Sequence, residues 1–176
     1  MENRDDYTKR HVMRGAALIA SILLYTCPNL WADNPAGGYE MSFVESRAHG
    51  DLMAQGRYRL AIYLLAGKVH DPIAAHTNLC VAHTMIGEYV KARRHCNRAV
   101  DMSEQAAIST PESQRDQNFQ NWVVALSNRG VLRAIRNQEG AEDDFRQAIE
   151  LRVYSDTAAR NLARLNQKEG RELAAQ

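Results

Sequence analysis

An all-α fold of stacked helical pairs is predicted by three features of this sequence. The phrase Gly-Arg-Tyr-Arg-Leu-Ala at residues 56–61 returns as Gly-Glu-Tyr-Val-Lys-Ala at residues 87–92, an offset of 31 residues. The apolar spacing of residues 92, 96, 99 and 102 returns 49 residues later. Strand-like runs are missing, while Ala, Arg and Leu are abundant, a composition that favours helices. Repetition on this scale is typical of units that stack because none buries its own apolar face alone.

The N-terminal residues 1–32 are predicted to be a signal peptide rather than part of the domain. Met13 and Arg14 precede a charge-free apolar run of about a dozen residues, which Pro28 ends, and Ala32 offers a small residue for cleavage. The sequence therefore predicts export, to the periplasm or as a secreted protein. The alternative is an uncleaved anchor in the inner membrane formed by residues 15–26, although this run is short for a span of about 20 residues.

A linker and two helices are predicted next. Residues 33–41 contain the turn-forming phrase Asp-Asn-Pro-Ala-Gly-Gly and are assigned as the linker. A first helix is predicted to begin near residues 39–42 and to end at Gln55, where Gly56 allows a turn. A second helix is predicted over residues 58–69, with apolar residues at helical spacing.

The third and fourth helices are predicted from a cap and a glycine. Asp71 caps the third helix and Pro72 occupies its first position, where a missing N–H costs nothing. The third helix is predicted to end near Gly87, and the fourth to span residues 88–102.

Three more helices complete the predicted domain, residues 42–168. The fifth is long, residues 111–137, and starts with Thr110-Pro111 in the same cap-then-proline order. The sixth covers residues 141–152 and the seventh residues 157–168. Residues 169–176 are predicted to be a frayed tail.

These residues resemble the tetratricopeptide repeat family, in the form found in exported bacterial proteins. The strongest match is the string NLCVAHTMIGEYVKARRHCNRAVDM at residues 78–102. A later unit matches as NRG at residues 128–130 and AEDDFRQAIEL at residues 141–151, and NLARL at residues 161–165 resembles the opening of a further unit. The resemblance implies an α-solenoid of about three helical hairpins plus a C-terminal capping helix.

Small residues and one charge pair are expected to hold the hairpins together. Alanine lets neighbouring helices approach within about 8–10 Å, and five alanines occupy such positions: Ala61, Ala92, Ala99, Ala141 and Ala148. The resemblance also implies that Arg129 on one helix pairs with Asp144 on the next.

Two cysteines in the strongest repeat leave three interpretations open. The resemblance puts Cys80 and Cys96 inside one hairpin, where they form a disulfide in an exported protein or remain two small buried residues. With His76 and His83 they are also a candidate N₂S₂ zinc site. Since no Cys-x-x-Cys or His-Glu-x-x-His string accompanies them, no metal or cofactor is expected.

A non-enzymatic protein–protein interaction module of the cell envelope is the predicted function. A net charge of +1 argues against nucleic acid, and no nucleophile motif or phosphate-binding loop is present. The resemblance implies that a peptide or partner helix binds the concave face. The alternative is a metal- or redox-linked accessory protein using the Cys80, Cys96, His76 and His83 cluster. The residues expected to line the concave face are Arg47, Met53, Thr77, Val81, Thr84, Met85, Val124, Ser127 and Val131.

Overall fold

Regular secondary structure is α-helical throughout the residues that the structure describes, so the predicted all-α class is confirmed. A computed structural model of the chain describes residues 36–44, 49–67, 70–151 and 156–175, without the side chains of residues 112–114. The predicted leader and Arg47 lie outside these ranges. The described helices are α1 (Gly50–Ala54), α2 (Tyr58–Leu65), α3 (Pro72–Met85), α4 (Tyr89–Ser109), α5 (Glu112–Ile135), α6 (Ala141–Glu150) and α7 (Asp156–Ala174).

The start of α3 follows the local sequence signal. The Asp71 carboxylate accepts hydrogen bonds from the backbone N–H groups of Ile73 and Ala74, each at 3.0 Å. Pro72 is the first helical residue, where no intrahelical donor is needed. The cap therefore satisfies two of the donors that every helix start leaves free.

The prediction for the first helix was wrong over its N-terminal half. Residues 39–44 are not helical, and α1 comprises only Gly50–Ala54. Apolar and polar residues alternate from residue 39 to residue 43, and the backbone groups of Glu40, Ser42 and Val44 are hydrogen-bonded to side chains of distant helices. Long-range partners thus replace the bonds that a helix would make.

Two other helix ends also differ from the prediction. Helix α4 continues to Ser109 because Ser103 and Ala107, beyond the predicted end, are buried. Helix α7 continues to Ala174 through the stretch predicted to fray. No helix among the described residues combines the length and hydrophobicity needed to cross a membrane.

Helix α5 is at the centre of the domain, because it packs against α3, α4, α6 and α7. Its buried face carries Leu126 and Val131, which are inaccessible to solvent, as is Phe145 of α6. Helices α5 and α6 approach closely at Gly130, where an added Cβ would lie 2.6 Å from Cε1 of Phe145. Glycine is required here because the aromatic ring occupies the space of a side chain.

The alanines predicted to mediate helix packing are all buried. Ala92 lies in a cluster with Cys80, Cys96 and Leu132, which joins α3, α4 and α5. The others are in neighbouring clusters: Ala61, Ala99, Ala141 and Ala148.

A buried ion pair joins α5 to α6 at the predicted residues. Asp144 is only 2 % exposed, and its carboxylate accepts hydrogen bonds from Arg129 Nη2 at 2.7 Å and from Nε of the same guanidinium. Arg133 donates to the other oxygen of Asp144 at 2.8 Å and to the carbonyl of Gly140 at 3.0 Å. Two guanidinium groups therefore offset the desolvation of one carboxylate.

Candidate functional site

An extended segment of the chain lies across three helices and is held by one asparagine from each. We call residues 39–44 the strap, and Asn78 of α3, Asn128 of α5 and Asn161 of α7 the asparagine ladder. The three ladder amides bond to the strap backbone at alternate residues.

Each ladder amide clamps both backbone polar groups of one strap residue. Asn128 Oδ1 accepts from the Ser42 N–H at 2.9 Å, while its Nδ2 donates to the Ser42 carbonyl at 2.6 Å. Asn161 makes the same pair of bonds to Glu40, at 2.9 and 2.8 Å. Asn78 makes them to Val44, at 2.8 and 3.0 Å. All six of these hydrogen bonds are made to the strap backbone, and none is made to a strap side chain.

The spacing of the clamps shows that the strap is extended. In an extended chain the N–H and C=O of one residue point to the same side, and those of the next residue point away. Clamps at residues 40, 42 and 44 therefore occupy one edge of the strap. The opposite edge carries the backbone groups of Met41 and Phe43, which have no hydrogen-bond partner among the described residues.

The asparagine ladder is built into the protein interior. Asn78, Asn128 and Asn161 are each at most 1 % exposed, and Asn161 Nδ2 also lies 3.5 Å from Ser127 Oγ. A buried amide without partners is costly, so these side chains need the strap backbone, or an equivalent ligand, to satisfy them.

Strap residues 39, 41 and 43 point their side chains towards the helices. Tyr39 is 5 % exposed and stacks on Phe145 with ring centroids 6.5 Å apart. Met41 contacts three core clusters, two of which also include Ile135. Phe43 packs in the cluster formed by α1, α2 and α3. Each of these side chains therefore packs on apolar residues, and Met41 shares a cluster with each of the other two.

The outward side of the strap carries an ion pair. Glu40 accepts two hydrogen bonds from the guanidinium of Arg160 in α7, at 3.0 and 2.8 Å. These bonds lower the pKa of the Glu40 carboxyl. Because both side chains are about half exposed, the pair contributes orientation more than stability.

An apolar cleft remains open beside the strap. It has a volume of about 330 Å³, and Tyr58, Val81 and Met85 line it together with Met41 and Phe43 of the strap. We call the surface of α3, α5 and α7 that contacts the strap the groove. The cleft leaves part of its apolar surface accessible while the strap is bound.

Most side chains of the predicted concave face are covered in this structure. Val81 packs in the cluster that receives Phe43, and Val131 in the cluster that receives Tyr39. Two hydroxyls bond to their own helix: Thr77 to the carbonyl of Ile73 and Thr84 to that of Cys80. The buried members are Met53, Thr77, Val81, Thr84, Ser127 and Val131, and the partly exposed ones are Met85 and Val124.

Cys80 and Cys96 are joined by a disulfide that links α3 to α4. Both residues are at most 1 % exposed. In the described part of the chain, no three His, Cys, Asp or Glu residues are arranged so that they could hold a metal ion.

The two histidines of the candidate zinc site bond to other groups. His76 Nδ1 lies 2.9 Å from Nδ1 of His95, and His83 Nδ1 lies 2.8 Å from Glu88 Oε2. The His95 ring stacks on that of His83 with centroids 5.4 Å apart. Burial, with the adjacent His76 and His83, lowers the pKa of His95 to about 4. A shared hydrogen bond between two imidazoles requires one ring to be neutral.

The asparagine ladder was not identified as a site by the sequence reasoning, although a signal was present. Asn78, Asn128 and Asn161 each open one of the strings that carry the family resemblance. A polar residue that recurs at a position expected to be buried needs a recurring partner. The alternating pattern of the strap is the matching signal in the partner.

No family model matches this chain, and no curated protein or solved structure matches it significantly.

Proposed function

We propose that this protein is a non-enzymatic interaction module whose concave face binds an extended peptide segment of a protein partner. We further propose that its helical pairs form a tetratricopeptide-like solenoid with a capping helix, and that it acts in the cell envelope after export. The strap stands in for the partner segment.

The asparagine ladder is the observation that carries this proposal. Three amides, on α3, α5 and α7, offer donor and acceptor pairs at a spacing that fits alternate residues of an extended chain. Such bonds depend on the backbone alone and supply affinity without a sequence requirement. An α-helix could not use them, because its backbone groups bond internally.

The alternative function, a metal- or redox-linked accessory protein, has weaker support. Cys80 and Cys96 are bonded to each other and are buried, whereas a reactive pair needs exposure to its redox partner. A structural crosslink between α3 and α4 accounts for both residues.

A backbone-methylated peptide tests whether the groove reads main-chain groups. The probe is a labelled synthetic peptide of residues 36–44, titrated by fluorescence anisotropy into the full chain carrying Met41→Ser. This substitution weakens the strap, which otherwise competes at an effective concentration on the order of 1 mM. We expect saturable binding of this peptide.

Methylation of the Ser42 nitrogen removes the N–H that Asn128 accepts. We expect it to weaken binding at least about tenfold, because a buried amide oxygen loses its donor. The matched control is methylation of the Phe43 nitrogen, whose N–H has no partner among the described residues. Equal losses for the two methylated peptides, or no binding of the unmodified peptide, would refute the proposal.

A further inference from the structure

We infer that the groove selects extended segments that carry large apolar side chains at every second position and a carboxylate between the first two. This inference rests on the proposed function, and it names the class of ligand. The strap is the one segment whose contacts with these helices are known.

The register of a bound segment is fixed by the asparagine ladder. Since each amide takes the N–H and C=O of one residue, the clamped residues are i, i+2 and i+4. The intervening side chains then all point to one face. Shifting a ligand by one residue would turn its whole apolar set away from the helices.

The pockets under the strap differ in chemistry and require large apolar groups. The first is closed by Phe145 and by Arg164, whose guanidinium carbon lies 5.7 Å from the centroid of the Tyr39 ring. An aromatic residue is favoured here, because a ring both stacks and receives a cation. The second and third positions share one cluster, in which Met41 and Phe43 pack against aliphatic side chains and Tyr58. A small side chain would leave a pocket partly empty, and a charged side chain would be buried without a partner.

Arg160 adds a charge preference at one position. Its guanidinium holds Glu40 bidentately on the outward side, between the first two apolar positions. A ligand with a basic residue there would face a like charge. The expected contribution is modest, because both groups are about half exposed to solvent.

The strap and an external segment must compete for the same groove, which provides the test. The probes are the peptide of residues 36–44 and a peptide of the same composition in which residues 38 and 41, and residues 37 and 43, have changed places, so that no register presents three large apolar residues at alternate positions. Each is titrated into the unmodified full chain and into the full chain carrying Met41→Ser. Circular dichroism checks that helicity is retained, and Phe43→Ala is the second strap-weakening variant if Met41→Ser disturbs folding.

We expect the first peptide to bind the Met41→Ser chain at least about tenfold more tightly than the unmodified chain, because a weakened strap competes less. We expect the rearranged peptide to bind the Met41→Ser chain at least about tenfold more weakly than the first. Replacing Glu40 with Lys in the first peptide should weaken it by a smaller factor.

The outcomes separate the two proposals. Equal binding of both peptides would overturn the selectivity inferred here and leave backbone recognition in place. Equal affinity of the first peptide for both chains would show that it binds outside the groove and would overturn the inference. If neither peptide binds either chain, both proposals fail.

Discussion

The side-chain amide of Asn128 and the backbone of Ser42 form a reciprocal pair of hydrogen bonds across 86 residues of sequence. Asn128 is inaccessible to solvent, so its interaction with the strap is made away from water. The pair is the middle of three equivalent clamps. Its loss should lower both the stability of the chain and the affinity for the peptide of residues 36–44.

Replacing Asn128 with Ala is expected to destabilise the chain by about 1–3 kcal/mol, because the N–H and C=O of Ser42 both lose their partner. Urea unfolding followed by circular dichroism measures this loss. The control is Asn166→Ala on the exposed face of α7, which should change stability by no more than about 0.5 kcal/mol. Similar effects of the two substitutions would contradict a special role for the ladder.

Replacing Gly130 with Ala should also destabilise the chain, by about 1–3 kcal/mol, because the new methyl group would overlap Phe145. Gly170 of α7 is the matched control, since an added Cβ there meets nothing within 4 Å. Gly170→Ala should be neutral or stabilising by up to about 1 kcal/mol from helix propensity alone. Thermal unfolding of both variants compares them, and a stabilising Gly130→Ala would disprove the close approach of α5 and α6.

Replacing Asp144 with Ala is expected to cost about 3 kcal/mol, because Arg129 and Arg133 would lose a buried counter-charge. The exposed pair of Arg146 and Glu142 in α6 provides the comparison. Arg146→Ala should lower stability far less, since water screens that pair. Urea midpoints for the two variants test the contrast. In high salt, the loss of stability caused by Asp144→Ala should persist, whereas that caused by Arg146→Ala should not.

Removing the disulfide should lower stability by about 3 kcal/mol, as the bond closes a loop with a sequence separation of 16. The double variant Cys80→Ala, Cys96→Ala is compared with the unmodified chain by urea unfolding, with and without reductant. Reductant should lower the midpoint of the unmodified chain and leave that of the variant unchanged. Alkylation of Cys80 and Cys96 in the folded, unreduced protein would show that the bond is absent.

Acidification should destabilise the chain between about pH 6.5 and pH 4 because of His95. Burial and the adjacent imidazoles lower its pKa from 6.5 to about 4. In this window the unfolded chain binds more protons than the folded one, so the free energy of unfolding falls as pH falls. Burial lowers the pKa values of His76 and His83 in the same direction.

The variant His95→Gln should show a smaller loss of stability than the unmodified chain between about pH 7 and pH 5. Thermal midpoints at the two pH values measure the difference. His70→Gln, at an exposed position, serves as the control. An unchanged pH dependence in His95→Gln would rule out this histidine as its source.

Local sequence signals predicted the helix starts from α2 onwards well, but the start of α1 and the path of the strap poorly. Asp71 and Pro72 define the start of α3 through bonds to residues at most three positions away. The strap residues Glu40, Ser42 and Val44 bond to partners that lie 121, 86 and 34 positions away. The local pattern that predicted a helix here contains no information on those partners. The alternation of apolar and polar residues is the one local feature that indicates an extended chain.

The predicted binding face and the candidate site share the same helices but differ in which side chains carry the interaction. Apolar and hydroxyl residues such as Val81, Thr84 and Val131 were predicted because the resemblance puts them on the first helix of each unit. The structure buries them, and the strap lies above Val81 and Val131. The ladder residues Asn78, Asn128 and Asn161 were recognised only as repeat markers. The neighbouring sequence does not distinguish a buried amide that stabilises the fold from one that binds a ligand.

The strap also fixes the spacing of the three ladder amides that bind it. Consecutive clamps are two residues apart, which fixes about 6.8 Å of covalent chain between them. The amide groups of Asn78, Asn128 and Asn161 must lie at a matching interval for all three to engage at once. A change in the relative positions of α3, α5 and α7 would therefore break at least one clamp.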